Sequence, residues 1–282
     1  MNTMLSVWSQ FFYEMSPEDA VLEFKRNGIY ASELSDEHGA QLFSRSEDRI
    51  ETGRKFREFL REQDFCMTQG HLWLNAKICG ELSSLDTLCK WIDMYEAIGI
   101  KNMVLHCDSI AFSGLSKAER VGKNIERLKI IADHVKDKDI YICLENLRAY
   151  DGVSEEFVVT RTAEDILRII EKVGSDRFGI CLDTGHLNLT DKDQRKFILT
   201  AGSKLRALHI ADNEGKGSDQ HMMPFAKGKI DFGVVVAALR EIDYNGLFNL
   251  EITGETKIPL ELRREKIKYI HHKKEPYSSS TV

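Results

Sequence analysis

The chain has 282 residues, and its 39 lysines and arginines are outnumbered by 45 aspartates and glutamates, which gives a formal net charge of −6. Hydrophobic residues make up 42% of the chain, enough for a sizeable core and too many for a disordered protein. Uncharged apolar runs such as Leu5–Tyr13 are far shorter than the roughly 18 residues that a membrane span needs, and the first residues show neither a basic segment nor a small-residue cleavage site. The acidic balance argues against a broad nucleic-acid surface. We therefore expect a folded cytoplasmic protein without a membrane or nucleic-acid partner.

Short apolar runs alternate with helix-period segments from one end of the chain to the other. Eight runs are candidate strands, namely Leu5–Gln10, Ile29–Leu34, Phe65–Gln69, Asn102–His106, Ile140–Glu145, Phe178–Asp183, Leu205–Ile210 and Leu247–Ile252. Most of them are continuously apolar, which is typical of parallel strands that helices cover on both faces.

The segments between these runs carry the signals of helix ends. A serine cap and a proline begin a helix at Ser16-Pro17. Thr162 begins another helix in the same way, and Gly174 ends it. The last two helices are predicted over Asp231–Ile242 and Leu260–His271.

Eight strands that are each followed by a helix predict a (β/α)₈ barrel, which typically has about 250 residues. A doubly wound open sheet is the competing α/β fold, but the glycine-rich turn of a dinucleotide-binding fold is absent after the first strand. Because no Pro/Ser/Gly-rich linker divides the chain, we predict one barrel domain over residues 1–272. Residues 273–282 are predicted to form a flexible tail.

The cysteines form no CxxC pair and are interpreted as reduced structural residues: Cys66, Cys79, Cys89, Cys107, Cys143 and Cys181. Ionisable residues, by contrast, gather at the C-terminal ends of the predicted strands or in the loops beyond them: His71, His106, Glu145, Asp183, His186, His209, His221 and Glu251. In a (β/α)₈ barrel this end is the catalytic face. Each residue alone has an ordinary interpretation, but so many together would be costly to bury unless they paired or bound a cation. Carboxylates and imidazoles without thiolates indicate manganese, magnesium, cobalt or zinc.

Two local spacings favour convergence of these side chains. Asp183 and His186 lie three residues apart across what is predicted to be a tight glycine turn, so both can reach one point. Asp219 and His221 lie two apart and share a face if the segment is extended.

Six motifs carry a resemblance to a known family: Ile142–Asn146, Gly179–His186, Leu208–Gly215, Asp219–His221, Gly228–Phe232 and Asn249–Ile252. In their order and their register on the predicted strands they resemble the xylose-isomerase-like barrel superfamily. That superfamily includes sugar isomerases and epimerases as well as endonuclease IV. The resemblance extends from Leu5 to about His272.

The isomerase and epimerase pattern implies that one divalent metal ion, above all Mn²⁺, is held by Glu145, Asp183, His209 and Glu251. It also implies that His186 contacts the substrate. The remaining residues of the substrate pocket would then be His71, His106 and His221, while Asp219 and His221 are candidates for further metal ligands.

The endonuclease IV pattern implies a zinc cluster and uses nine positions, all of which have the required residue type here: His71, His106, Glu145, Asp183, His186, His209, Asp219, His221 and Glu251. The acidic charge and the lack of a basic stripe favour the sugar branch. Two features depart from that branch. Phe225 stands where a glycine would allow a tight turn, and Asn213–Lys216 lacks the arginine of tagatose epimerases.

The resemblance implies an isomerase or epimerase acting on a small sugar or a polyol-derived ketone through proton transfer and a metal-stabilised enediolate. Glu145 and Glu251 would be the two catalytic groups, one removing the proton next to the carbonyl and the other returning it. The alternatives are a zinc-dependent phosphodiesterase acting at abasic DNA, an inosose-type dehydratase, and a sugar-binding barrel without activity. The sequence leaves homo-oligomerisation open.

Overall fold

Strands and helices alternate along the whole chain. The computed structural model describes residues 3–108, 114–149, 154–225, 227–254 and 257–272. The strands are β1 (Met4–Trp8), β2 (Ala31–Leu34), β3 (Cys66–His71), β4 (Asn102–Leu105), β5 (Tyr141–Glu145), β6 (Phe178–Asp183), β7 (Leu205–His209) and β8 (Leu247–Leu250). The α-helices are α1 (Pro17–Arg26), α2 (Asp36–Phe43), α3 (Arg49–Glu62), α4 (Leu82–Ile98), α5 (Lys117–Val135), α6 (Ala163–Val173), α7 (Thr184–Leu189), α8 (Gln194–Ala201), α9 (Phe232–Glu241) and α10 (Leu260–His272).

The eight strands form one parallel sheet in the order β7-β6-β5-β4-β3-β2-β1-β8. A parallel bridge between Ile210 and Leu250 joins the two edge strands at their C-terminal ends. There Ile210 N donates to Asn249 O at 2.8 Å, and Glu251 N donates to Ile210 O at 3.0 Å. The sheet therefore closes into the predicted (β/α)₈ barrel.

The predicted strands all exist, but several end at other residues. β1 stops at Trp8 because a 3₁₀ turn takes over at Ser9–Phe12. β3 continues to His71, where pairing with β4 extends beyond the apolar run. β8 stops at Leu250, so Glu251 follows the strand instead of lying within it.

The helix-end signals act as predicted at α1 and α6. The Ser16 side chain accepts the N–H of Asp19 at the start of α1, and Gly174 ends α6 with a left-handed φ of 73°. The predicted tight turn after β6 is wrong, since that segment is the first turn of α7. The Asp183 side chain caps α7 by accepting the N–H of His186 at 2.8 Å, a favourable N-terminal arrangement.

The apolar core lies between the barrel and its helices, and all six cysteines are free, as predicted. Among the described residues, no helix combines the length and the apolar character that a membrane crossing requires. The predicted tail at 273–282 lies outside the described residues.

His134, on α5, joins the outer helices by a hydrogen bond of 2.9 Å to Asp93 on α4. This bond raises the pKa of His134 to about 10. A raised pKa stabilises the fold fully below the unfolded value of about 6.5, and the contribution disappears as the pH rises through about 10. We expect His134→Gln to lower the free energy of unfolding by less than about 1 kcal/mol near pH 6, since the pair is partly solvated.

Urea unfolding of the wild type and His134→Gln between pH 6 and pH 11 measures this difference. It should shrink toward zero above pH 10, while the exposed His272→Gln control shows no such trend. A difference that is constant with pH would contradict a contribution from the charged imidazole.

Candidate active site

A cavity of about 310 Å³ opens at the C-terminal ends of the strands. Its lining consists of Trp8, Asp36, His71, Leu74, His106, Glu145, Arg148, His186, Asp219, His221 and Glu251. Asp183 and His209 are buried and make contact with His186 and Glu145 of this lining. A larger open cleft of about 460 Å³ lies beside α8 and α9, but it contains none of these ionisable strand-end residues.

Four predicted metal ligands meet on one side of the cavity. Glu145, Asp183 and His209 end β5, β6 and β7, Glu251 follows β8, and all four are buried. His209 Nδ1 is 3.3 Å from Glu145 Oε2 and 3.5 Å from Glu251 Oε2. Two carboxylates therefore approach the same nitrogen of one imidazole.

Three atoms of this group are buried and have no hydrogen-bond partner among the described residues: Asp183 Oδ2, His209 Nδ1 and Glu251 Oε2. One ligand atom from each of these residues lies within 4.8 Å of the other two. Buried polar atoms are normally paired, so such a cluster requires an explanation. Carboxylate oxygens and an imidazole nitrogen are suitable ligands for a divalent cation. The residues present thus fit a metal ion.

The acids of this group differ in their proton affinity. Burial raises the pKa of Glu251 to about 8 and also raises that of Asp183. Burial acts on Glu145 in the same direction, but the charges of His209 and His106 outweigh it and hold the pKa of Glu145 well below its ordinary range. A bound cation would favour the ionised form of all three acids.

His71 and His106 form a pair on the other side of Glu145. Their Nε2 atoms are 3.3 Å apart, and His106 Nε2 is 3.0 Å from Glu145 Oε2. His71 Nδ1 is 2.7 Å from Leu72 O. Burial lowers the pKa of His71, but Glu145 outweighs it and raises that pKa to about 9. Both imidazoles thus have hydrogen-bond partners within the protein.

Asp219 joins His186 and His221 in a third group. Its Oδ2 is 3.0 Å from His186 Nε2 and 3.2 Å from His221 Nε2, while its Oδ1 is buried without a hydrogen-bond partner. His186 Nδ1 lies 3.0 Å from Asn146 O. The Asn146 side chain in turn bonds both backbone groups of Asp183, which ties the end of β5 to the end of β6.

The loop that carries Asp219 and His221 is held by Asp212. The Asp212 side chain accepts the N–H of Asn213 at 2.8 Å and of Ile230 at 3.1 Å, at the two ends of the loop. Asp212 also exchanges two backbone hydrogen bonds of 2.9 Å with Met222. The hydrogen bonds of Asp212 to Asn213, Met222 and Ile230 hold the loop in the conformation in which Asp219 and His221 lie against His186.

Gly228 leaves the space that Asp212 occupies, because a Cβ at this glycine would lie 1.9 Å from the Asp212 carboxyl carbon. We expect Gly228→Ala to displace the loop and to lower turnover of an active preparation by at least about tenfold, as misplacement of site residues does. Metal content should stay unchanged, since the four strand-end ligands are not in the loop. The displaced loop should be cleaved faster by trypsin at Lys216, which a digestion time course measures, and metal analysis checks the metal content.

Gly122→Ala is the matched control, since its Cβ meets nothing within 4 Å. It should leave cleavage and turnover as in the wild type. Equal tryptic cleavage of Gly228→Ala and Gly122→Ala would contradict the role of Asp212 in the loop.

The structure brings together all nine residues that the sequence singled out at strand ends and in the Asp219–His221 segment. Four further residues line the cavity without having been predicted there: Trp8, Asp36, Leu74 and Arg148. Trp8 stacks on His221 with ring centroids 6.4 Å apart. Glu33 was also missed, although an acid within the apolar run that ends at Leu34 is a visible signal. The departure at Phe225 has a structural counterpart, since its φ is 60° in the left-handed region.

Comparison with known proteins places this arrangement in a family. Residues 23–272 match the family described as "Xylose isomerase-like TIM barrel". The chain belongs to this family.

Relatives within reach of sequence comparison include two kinds of enzyme. An L-ribulose 3-epimerase from Methylomonas sp. (strain DH-1) is 27% identical over 168 residues, which are 59% of this chain and 54% of that protein. The chain thus spans about half the length of this relative. A probable endonuclease 4 from Mycoplasmopsis agalactiae is 29% identical over 220 residues, 72% of this chain and 74% of that protein. A solved D-psicose 3-epimerase structure has a TM-score of 0.77 over 98% of this chain and 99% of that one, and at 14% identity it shows the fold alone.

Proposed function

We propose that the protein is a divalent-metal-dependent isomerase or epimerase of a small sugar or a polyol-derived ketone. The observation that carries the proposal is the set of unpaired buried atoms on Asp183, His209 and Glu251, which lie beside Glu145 at the floor of the cavity. The relatives named as 3-epimerases support the sugar class.

Glu145, Asp183, His209 and Glu251 would hold the metal ion, with Mn²⁺ our first choice because three of the four ligands are carboxylates. A bound divalent cation would polarise the substrate carbonyl and stabilise the negative charge that develops when the adjacent proton leaves.

Glu145 and Glu251 are the proton carriers in this proposal. Both carboxylates approach the same nitrogen of His209, so a small substrate at this point is within reach of both. The pKa of Glu145 lies well below its ordinary range, so this carboxylate is ionised and able to accept a proton. One glutamate takes the proton from the carbon next to the carbonyl, and the other delivers a proton. Delivery to the same carbon inverts its configuration, and delivery to the adjacent carbon moves the carbonyl.

The cavity suits an uncharged polyhydroxylated substrate. Its volume of about 310 Å³ is at the small end of the range for ligand pockets. Four carboxylates line it (Asp36, Glu145, Asp219 and Glu251) against one arginine, Arg148. Four imidazoles also line it, those of His71, His106, His186 and His221.

A phosphodiesterase related to endonuclease 4 is the second candidate, and a specific observation favours it. The histidine pair with Glu145 and the group around Asp219 lie on either side of the first group, so the nine residues form three adjacent clusters. Against it stand the acidic lining and the existing pairing of these histidines within the protein. Dehydration of an inosose-like ketone is a variant of the first proposal that shares its first step.

Solvent deuterium exchange tests the proposal. Aldoses, ketoses and inososes are incubated with the protein and Mn²⁺ in D₂O, and incorporation next to the carbonyl is followed by NMR. Exchange that a chelator abolishes and added Mn²⁺ restores would support a proton-transferring sugar enzyme. No exchange with any of these substrates, together with cleavage of an abasic duplex, would replace the proposal with the second candidate. Saturable sugar binding that raises the melting temperature without exchange would instead identify a binding protein.

A further inference from the structure

Glu33 is a carboxylate buried inside the barrel, behind the candidate metal site. It lies on β2, its side chain has no exposed surface, and it accepts three hydrogen bonds. His209 Nε2 lies 3.0 Å from Glu33 Oε1, and because a carboxylate only accepts, this nitrogen carries the proton. Glu33 Oε2 accepts from Gln69 at 2.9 Å and from Asn249. A buried carboxylate in such a place is costly unless its partners are fixed.

The partners of Glu33 are themselves held by neighbouring strands. The Gln69 amide also donates to Leu208 O at 3.2 Å, and Asn249 Oδ1 accepts from the Ser6 hydroxyl at 2.9 Å. Gln69 of β3 and Asn249 of β8 thus fix the Glu33 carboxylate beside His209, and Ser6 of β1 holds Asn249 in turn. Its position is determined by the barrel and not by the cavity.

The two nitrogens of His209 face different surroundings. Nε2 points to Glu33, and Nδ1 points to Glu145 and Glu251 and has no hydrogen-bond partner. A neutral imidazole, the form that binds a metal ion, keeps its lone pair on Nδ1 when it donates Nε2–H to a carboxylate. Hydrogen bonding at one ring nitrogen therefore selects the tautomer that ligates through the other, and it makes that nitrogen more basic.

We propose that Glu33 is a positioning residue that orients His209 and sets its tautomer, so that Nδ1 is available to a divalent cation. The inference rests on the metal site of the proposed function and not on its substrate. The Glu33 carboxylate also adds a negative charge behind the metal ligands, which strengthens the binding of a cation. A purely structural role would require only that the buried hydrogen bonds be satisfied.

Metal affinity of the Glu33→Gln variant tests the proposal without any substrate. We expect the affinity for Mn²⁺, titrated calorimetrically into metal-free protein, to fall about 10- to 100-fold, the usual effect of removing an outer carboxylate partner of a ligating histidine. Asp93→Asn is the matched control, since it removes another carboxylate that bonds a histidine at 2.9 Å, between outer helices. Its Mn²⁺ affinity should equal that of the wild type. Equal affinities for all three proteins would overturn the proposal.

A measurement on the wild type covers the case in which Glu33→Gln does not fold. In Zn²⁺-loaded protein with ¹⁵N-labelled histidines, the His209 ring should carry its proton on Nε2, and its Nδ1 should show the ¹⁵N shift of a nitrogen bound to the diamagnetic ion. His209→Gln assigns the signal by its loss. A proton on Nδ1 of the Zn²⁺-loaded protein, or a metal shift at Nε2, would contradict the orientation. Neither experiment measures turnover, so a failed deuterium exchange would refute the proposed function without affecting the Glu33 result.

Discussion

Replacement of Glu145 or Glu251 by glutamine is expected to lower turnover by at least about 10²-fold, the lower range for loss of a general acid or base. Glutamine preserves the shape of the side chain but neither accepts nor returns the proton, and it removes a negative charge from the ligand set. Both carboxylates lie within 3.5 Å of His209 Nδ1, where the proposed metal ion and substrate bind. Each glutamate is therefore expected to be needed for its own proton transfer.

Initial rates at saturating Mn²⁺ and several substrate concentrations separate the loss of proton transfer from the loss of metal affinity. Loss of the proton carrier lowers kcat even when the metal site is filled, whereas a weakened site is restored by more Mn²⁺. Glu261→Gln, on the exposed surface of α10, is the control and should retain the wild-type rate. Near-normal kcat in Glu145→Gln or Glu251→Gln would remove that residue from the proposed pair.

Metal analysis of protein purified without added metal is expected to give one tightly held divalent cation per chain. Three buried atoms without a hydrogen-bond partner meet at Asp183, His209 and Glu251, whereas the group around Asp219 has one, Asp219 Oδ1, so the first group is the one in which a cation satisfies several buried atoms at once. His71 and His106 already have partners at hydrogen-bond distance, and we expect either one to be dispensable for retention. Asp183→Ala should lose the ion altogether, and chelation should abolish turnover of the wild type.

The variants His71→Ala and His106→Ala decide between the two candidate functions. In the sugar enzyme they keep the single ion and change mainly KM, because their imidazoles line the pocket. Two or three tightly bound zinc ions per chain, of which one or more is lost in either variant, would overturn the ranking in favour of phosphodiester cleavage. The result is independent of whether the physiological sugar has been found.

The sequence by itself determined the class of fold and the end of the barrel at which the candidate site residues gather. Continuous apolar runs of four to six residues separated by helix patterns have one common explanation, which is parallel strands covered by helices. Since parallel strands in a closed barrel all end on the same side, residues such as Glu145 and His209 were bound to meet once the barrel was predicted. The helix N-caps at Ser16 and Thr162 are local signals, and the sequence predicted both of them correctly.

Only the tertiary structure decided how these residues are oriented. The segment after β6 forms a helix that the Asp183 side chain caps, where the sequence predicted a tight turn. Glu33 and His209 are 176 residues apart in the chain, and no periodicity connects them. Their hydrogen bond exists because closure of the barrel brings β2 and β7 within reach across its interior. Sequence patterns report which face a side chain occupies, whereas the partner of a buried polar atom is chosen by packing between distant segments.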